Sequence, residues 1–215
     1  MSEPLSGRHI LITAGPTREP IDPVRFLSNH SSGKQGYAIA AACAALGARV
    51  TLVSGPTSLP DPEGITVVRI ETALEMLAAV ETGLPADVFI AVAAVADWRP
   101  AAPSDTKIKA DKSSFAALPL VENPDILKTI SHLASGRPGL VVGFAAETQD
   151  VEALATAKRV RKGCDWIVAN DVSGDVMGGA ENAVTLVTAG GSEHWQRAPK
   201  GEIAARLASR IAEAL

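Results

Sequence analysis

Six short runs of β-branched and aliphatic residues, at 8–13, 48–54, 65–70, 87–93, 139–145 and 165–169, set the strongest constraint on how this chain can fold. All neighbouring runs but one pair are separated by a stretch whose apolar residues recur at helical spacing; 48–54 and 65–70 are joined by a Pro/Asp-rich loop. A strand that leads into a helix rejoins its sheet by a crossover, and strands joined that way lie parallel. The runs are continuously apolar rather than alternating, which suits strands buried on both faces. The expectation is an α/β fold, a Rossmann-like, doubly wound, mainly parallel sheet with helices on both faces.

Local signals place the other elements. Helices are expected at 35–46, 72–81, 123 to about 134, 150–162 and 200–215. Thr72 is a candidate N-cap, and Pro124 and Asp125 suit a first helical turn. Runs 183–188 and 193–196, joined through Ala189-Gly190-Gly191-Ser192, predict a C-terminal β-hairpin. Residues after Thr13 read as a long turn through Gly15-Pro16-Thr17, and 94–118 as a loop with little regular pattern. Residues 1–7 read as a linker remnant or an artificial end, leaving 8–215 as one domain.

The stretch 28–38, Ser-Asn-His-Ser-Ser-Gly-Lys-Gln-Gly-Tyr-Ala, joins that turn to the first helix. A polar, glycine-containing turn opening a helix offers unpaired backbone N–H groups and the positive end of the helix dipole, which suits phosphate. Ser31, Ser32 and Lys34 add donors and charge. Gly33 and Gly36, without Cβ atoms, admit a ligand or a neighbouring strand. A Walker A loop fails at Ser28 and Gln35, and the dinucleotide pattern fails at Ser31. A plain capped turn and an anion site both remain open on spacing alone.

Composition removes other classes. Of the 215 residues, 47% are hydrophobic and 20% charged, enough for a sizeable core. Aromatics at 4% and a net charge of −4 argue against a nucleic-acid surface. Cys43 and Cys164 are far apart and read as packed thiols in a reduced, cytoplasmic protein. No signal region, membrane-length apolar run or zinc-type cluster is visible.

Ligands of an open parallel sheet bind beyond the carboxyl ends of its strands. Four unusual stretches fall there: 15–36, 94–97, 144–147 and Asn170-Asp171. With Asp97 and the basic segment around Lys107 and Lys109, the crevice suits a nucleoside polyphosphate and a second anionic substrate. No Gly-x-Ser-x-Gly elbow supports a hydrolase.

The run Gly15-Pro16-Thr17-Arg18-Glu19-Pro20-Ile21-Asp22-Pro23-Val24-Arg25-Phe26, followed by 28–36, resembles phosphopantothenoylcysteine synthetase, the C-terminal half of a bifunctional bacterial coenzyme A biosynthesis flavoprotein. The resemblance continues through 93–99, Lys107-Ile108-Lys109, 123–126, 143–148, 158–162 and 169–172, spanning nearly the whole chain. It implies ligation of phosphopantothenate and L-cysteine with CTP and Mg²⁺ (or Mn²⁺) through an acyl-cytidylate, releasing pyrophosphate and then CMP. It implies a homodimer, fused to or partnered with a phosphopantothenoylcysteine decarboxylase whose FMN belongs to the half absent here.

Residue roles implied by the resemblance are specific. Asn29 matches the asparagine acting on the acyl-cytidylate, and Lys107 the loop lysine serving the triphosphate. Ala91, Val92, Ala93, Asp97, Asn123, Pro124, Asp125, Ile126, Phe144, Lys158 and Lys162 match nucleotide contacts. Asn29, Ser31, Ser32, Gly33 and Lys34 are expected to hold phosphopantothenate, and the metal ligands stay unassigned. Relatives often continue Lys-Ile-Lys with a further lysine, whereas Ala110 and Asp111 precede Lys112 here. Each residue also has a plainer role: Asn29 and Asp97 as turn residues, Lys107 as a solvated loop, Phe144 as core, Lys158 and Lys162 as helix-dipole partners. The competing functions are an NAD(P)-dependent reductase and a non-catalytic nucleotide-binding module. The reductase would want an acidic residue after the second strand, where Ser54-Gly55-Pro56 stands.

Overall fold

The computed structural model describes residues 3–109, 117–147, 149–171, 179 and 181–215. Its main sheet contains β1 (His9–Ala14), β4 (Arg49–Ser54), β5 (Thr66–Arg69), β6 (Val88–Ala91), β9 (Leu140–Glu147), β10 (Trp166–Asp171), β11 (Glu181–Thr188) and β12 (Gly191–Pro199). Two small antiparallel pairs stand apart: β2 (Arg18–Asp22) with β3 (Arg25–Ser28), and β7 (Trp98–Pro100) with β8 (Leu120–Glu122). The helices are α1 (Lys34–Ala45), α2 (Ala73–Thr82), α3 (Ile126–Ser131), α4 (Val151–Lys162) and α5 (Lys200–Ala214).

The sheet order is β12-β11-β10-β9-β6-β1-β4-β5. The six strands from β10 to β5 run parallel, and β11 and β12 close the sheet as an antiparallel hairpin. The expected α/β architecture is therefore observed. Side chains alternate between the faces. Ile10 and Ile12 of β1 pack with α1 and α5, whereas Leu11 packs with α2, α3 and α4. Burial on both faces explains why these runs read as continuously apolar.

Sequence signals located the long elements well. Thr72 caps α2, and its hydroxyl accepts from Glu75 N while the Glu75 carboxylate accepts from Thr72 N, a reciprocal capping box. Three details differ. The expected turn after Thr13 contains the β2–β3 hairpin; its prolines read as loop, but a two-stranded ribbon tolerates Pro20. The expected loop at 94–118 contains β7, which pairs with β8 beyond it; neither is long enough to show a period. The third helix spans six residues, with Asp125 as its N-cap and Pro124 outside it. The Asp125 carboxylate accepts from Lys128 N at 3.0 Å, fixing the start one residue beyond the proline pair.

Leu5, within the stretch read as a linker, is fully buried, and its N–H donates to Leu46 O at 2.9 Å. Cys43 and Cys164 are free and buried, and burial pushes their thiols up to about 12 and about 11. Among the described residues no helix is long and apolar enough to cross a membrane.

Candidate functional site

From β1 the sheet grows one way to β4 and β5 and the other way to β6, β9 and β10. The β1/β6 boundary is thus the switch point where an open parallel sheet binds ligands. The two loops leaving it are laced together. Val92 N donates to Thr13 O at 3.2 Å, Ala93 N to Thr13 Oγ1 at 3.3 Å, and Ala94 N to Gly15 O at 2.9 Å. Thr17, fully buried, accepts from Ala96 N on Oγ1 at 3.0 Å. The loops therefore form a partition across the crevice.

A cavity lies on each side of this partition, and both share Ala93, Ala94 and Phe144 in their walls. The first, about 270 Å³, takes in residues 30–36, Val92, Asn170, Asn182 and Lys200. The second, about 420 Å³, takes in Ala91, Asp97, residues 122–127, Lys158 and Lys162.

The first cavity is built on the N-terminus of α1. Gly33 caps the helix at φ 76°, with no side-chain cap and no acidic residue in the first turn. The left-handed φ and tight packing both favour glycine: a Cβ here would stand 2.7 Å from Thr57 Cγ2. Gly36 serves a neighbouring strand, since its Cβ would meet Ala14 Cβ at 2.5 Å. Ser31, Ser32, Gly33 and Lys34 all line this cavity, as the anion reading expects. Asn29 does not. It is exposed and lines neither cavity; its Nδ2 donates to Val95 O, in the loop after β6, at 3.0 Å.

The second cavity gathers all the other expected nucleotide residues except Val92, which lines the first, and Lys107. Lys158 Nζ donates to Phe144 O at 2.8 Å, and Lys162 pairs with Asp125. Burial, then the neighbouring Lys162 charge, pulls the Lys158 ammonium below its ordinary range. Burial would raise the Asp125 carboxyl, but the Lys162 hydrogen bond and the Lys128 N–H bring it below its usual value. The Asn123 amide is structural: Nδ2 donates to Ala96 O at 2.8 Å and Oδ1 accepts from Arg99 at 3.2 Å.

Lys107 is exposed and lines neither cavity. The adjoining Ile108 is anchored to the β2–β3 hairpin: its N–H donates to Asp22 Oδ2 at 3.1 Å and its carbonyl accepts from Arg25 at 3.0 Å. The Arg25 hydrogen bond, reinforced by the Val24 and Ile108 N–H groups, overcomes burial and holds the Asp22 carboxyl far below the usual range. Ala110, Asp111 and Lys112 lie outside the described residues.

Several lining residues had no assigned role. Asn182 Nδ2 donates to Asn170 Oδ1 at 2.9 Å, making an amide pair on the far wall of the first cavity. Asn170 lies near the end of the parallel strand β10, in a stretch that the crevice rule marked without assigning it a role. Lys200 opens the last helix and carried no local signal.

Residues 5–215 match the DNA/pantothenate metabolism flavoprotein C-terminal domain. The chain belongs to that family. It is similar to the coenzyme A biosynthesis bifunctional protein CoaBC of Vibrio vulnificus (strain YJ016), with 48% identity over 214 residues, 98% of this chain and 51% of that protein. Against the same protein of Escherichia coli (strain K12) identity is 54% over 173 residues, 79% of this chain and 42% of that one. The chain thus spans about half the length of the curated relatives it matches. The crystal structure of the C-terminal domain of CoaBC superposes with a TM-score of 0.84 at 42% identity, covering 99% of this chain and 98% of that one.

Among the described residues no group of three or more His, Cys, Asp or Glu side chains could hold a metal ion.

Proposed function

We propose that this family member joins phosphopantothenate to L-cysteine at the expense of CTP, as a cytoplasmic phosphopantothenate–cysteine ligase. The observation that carries the reading is the pair of cavities meeting at Ala93, Ala94 and Phe144. One offers a helix N-terminus and lysines for a phosphorylated acid. The other offers Asp97, the Asn123–Ile126 turn, Lys158 and Lys162 for a nucleotide. The shared wall is where the carboxylate and the α-phosphate must meet.

In the first step a carboxylate oxygen attacks the α-phosphorus and its bond to pyrophosphate breaks. In the second the cysteine amine attacks the acyl carbon and CMP leaves. Positioning both partners across one wall supplies much of the rate. Asn29 has one amide N–H tied to Val95 O, and we assign its other N–H and Oδ1 to the junction. That second N–H is the donor for the oxyanion formed when cysteine attacks. Lys107 is assigned to the triphosphate, which it reaches by leaving its place beside the Asp22 anchor. Mg²⁺ bound to the polyphosphate would neutralise part of its charge, alongside Lys158, Lys162 and Lys107.

The reductase alternative is disfavoured beyond β4. There the Tyr37 hydroxyl lies 2.9 Å from Ser54 Oγ and accepts from Arg69 at 2.8 Å, so the chain's own side chains fill the position of a dinucleotide ribose. We assign the working form to a homodimer, and its relatives' two-part chains suggest a decarboxylase partner. Exposed Val24, Phe26, Trp98, Leu120 and Val121 cluster on the two small sheets, whereas the β11–β12 hairpin exposes polar residues such as Ser192, His194 and Gln196. The small sheets are therefore the better surface.

Pyrophosphate release, measured with each nucleotide in turn, tests the function. CTP should support it only with phosphopantothenate present, and far better than ATP, because a buried hydrogen-bonding site rejects a base that leaves its groups unpaired. Equal specificity constants would defeat the nucleotide assignment, and no pyrophosphate at all would defeat the ligase.

A further inference from the structure

The first cavity holds a cation that residues 28–38 do not supply. Lys200, the first residue of α5, lines it together with Lys34 at the start of α1. The two lysines are 166 positions apart in the chain, and the packing of α5 against α1 brings them into one cavity. Gln35 locks that arrangement: its Nε2 donates to Lys200 O at 3.4 Å. Gln35 is only 9% exposed, lines the same cavity, and keeps its Oε1 without a partner.

We infer that Lys200 and Lys34 clamp a phosphate monoester on the uncapped first turn of α1, and that Lys200 makes the site selective for the phosphorylated acid. The substrate's identity rests on the ligase reading; the anion subsite does not. Two like charges held near one another raise the energy of the empty site, and a dianion between them relieves it. Burial and the Lys34 charge both pull the Lys200 ammonium below its ordinary range, the behaviour of a cation lacking a counter-charge. Among the described residues neither lysine has a carboxylate partner.

The other polar groups agree. The first-turn N–H groups of α1 have no side-chain cap, so they are available to phosphate oxygens. The orphaned Gln35 Oε1 can accept from a singly protonated phosphate or a substrate hydroxyl. Glu181 is the one carboxylate among the described lining residues, and its repulsion keeps the phosphate toward the lysines. Anchoring the phosphate at this end leaves Val92, Ala93 and Phe144 for the apolar middle of the acid. The far carboxylate is then delivered to the partition beside Asn29.

Two measurements on the wild type, Lys200→Gln and Lys200→Arg separate the subsite from the reaction. In titration calorimetry with inorganic phosphate, wild type should bind, Lys200→Gln should bind roughly 10- to 100-fold more weakly, and Lys200→Arg should recover most of the loss. In pyrophosphate release, Lys200→Gln should raise the KM for phosphopantothenate by a similar factor and leave the KM for CTP unchanged. It should also narrow the preference for phosphopantothenate over pantothenate. Phosphate binding that is absent in wild type, or identical in Lys200→Gln, overturns the clamp, as does an equal rise in both KM values. If phosphate binding depends on Lys200 but wild type releases no pyrophosphate, the ligase reading fails and the clamp stands.

Discussion

Asn29 shows how one hydrogen bond turns a generic residue into a directed one. An exposed asparagine in a polar loop is ordinarily free to rotate, but the bond to Val95 O ties its amide to the loop after β6. Asn29→Asp keeps the shape, removes the donors and puts negative charge where negative charge must develop. The variant should consume CTP once per site and retain acyl-cytidylate when cysteine is added, which rapid-quench analysis of bound nucleotide would reveal. Wild-type turnover by the variant would reduce Asn29 to a turn residue. Gly36 makes the opposite point. In an open helix Gly→Ala gains roughly 1 kcal/mol. Here the new Cβ collides with Ala14, and such overpacking costs about 1–3 kcal/mol. Gly36→Ala should therefore lower the urea midpoint; a raised midpoint would mean that α1 does not seat on β1 as described.

At the scale of elements, the β2–β3 hairpin is the root of the Lys107 segment. Asp22 is the pin. Its side chain is fully buried and accepts from Val24 N, Arg25 and Ile108 N. Lys107→Ala should depress acyl-cytidylate formation on the order of 10²-fold, the usual scale for losing one charge-stabilising contact. Normal pyrophosphate release by that variant would leave Lys107 as an ordinary solvated lysine. Asp22→Asn weakens the anchor without touching either cavity, so it should change the rate of the first step while leaving nucleotide affinity close to wild type. A change in affinity with no change in rate would contradict the anchoring role. The same carboxylate, with Asp125, predicts the acid behaviour. Both carboxyls lie below their unfolded values, so their contribution is present above about pH 4 and fades as pH falls further, when the unfolded chain takes up protons first. Urea midpoints should fall below about pH 4, and less steeply in Asp22→Asn.

For the whole molecule, the proposed chemistry rests on the partition. A parallel sheet with helices on both faces has two sides to its carboxyl edge, and the loops after β1 and β6 divide them. On the proposed ligase reading one substrate is held over α1 and another over α3 and α4, with their reactive ends in contact. The exposed apolar cluster on the small sheets lies outside this core and predicts assembly. Light scattering at micromolar concentration should show a dimer, and Phe26→Asp combined with Trp98→Asp should yield monomer. A dimer surviving that double change, or an active wild-type monomer, would move or remove the interface.

The fold was legible in the sequence because burial on both faces leaves unbroken aliphatic runs, and helices between them leave little topological choice. Helix starts were legible where side chains cap locally, as Thr72 and Glu75 do. The hairpins at 18–28 and 98–122 were not, because their strands are short, rich in proline or paired across a long loop. Most of the candidate site was named through family resemblance, since side chains gathered from β6, β9, α1 and α4 share no periodicity. Tertiary structure alone tied Asn29 to Val95, tied Ile108 to Asp22, and set Lys200 in the same cavity as Lys34. Those relations join residues 66, 86 and 166 positions apart, and no local spacing encodes which face or strand end such distant residues will share.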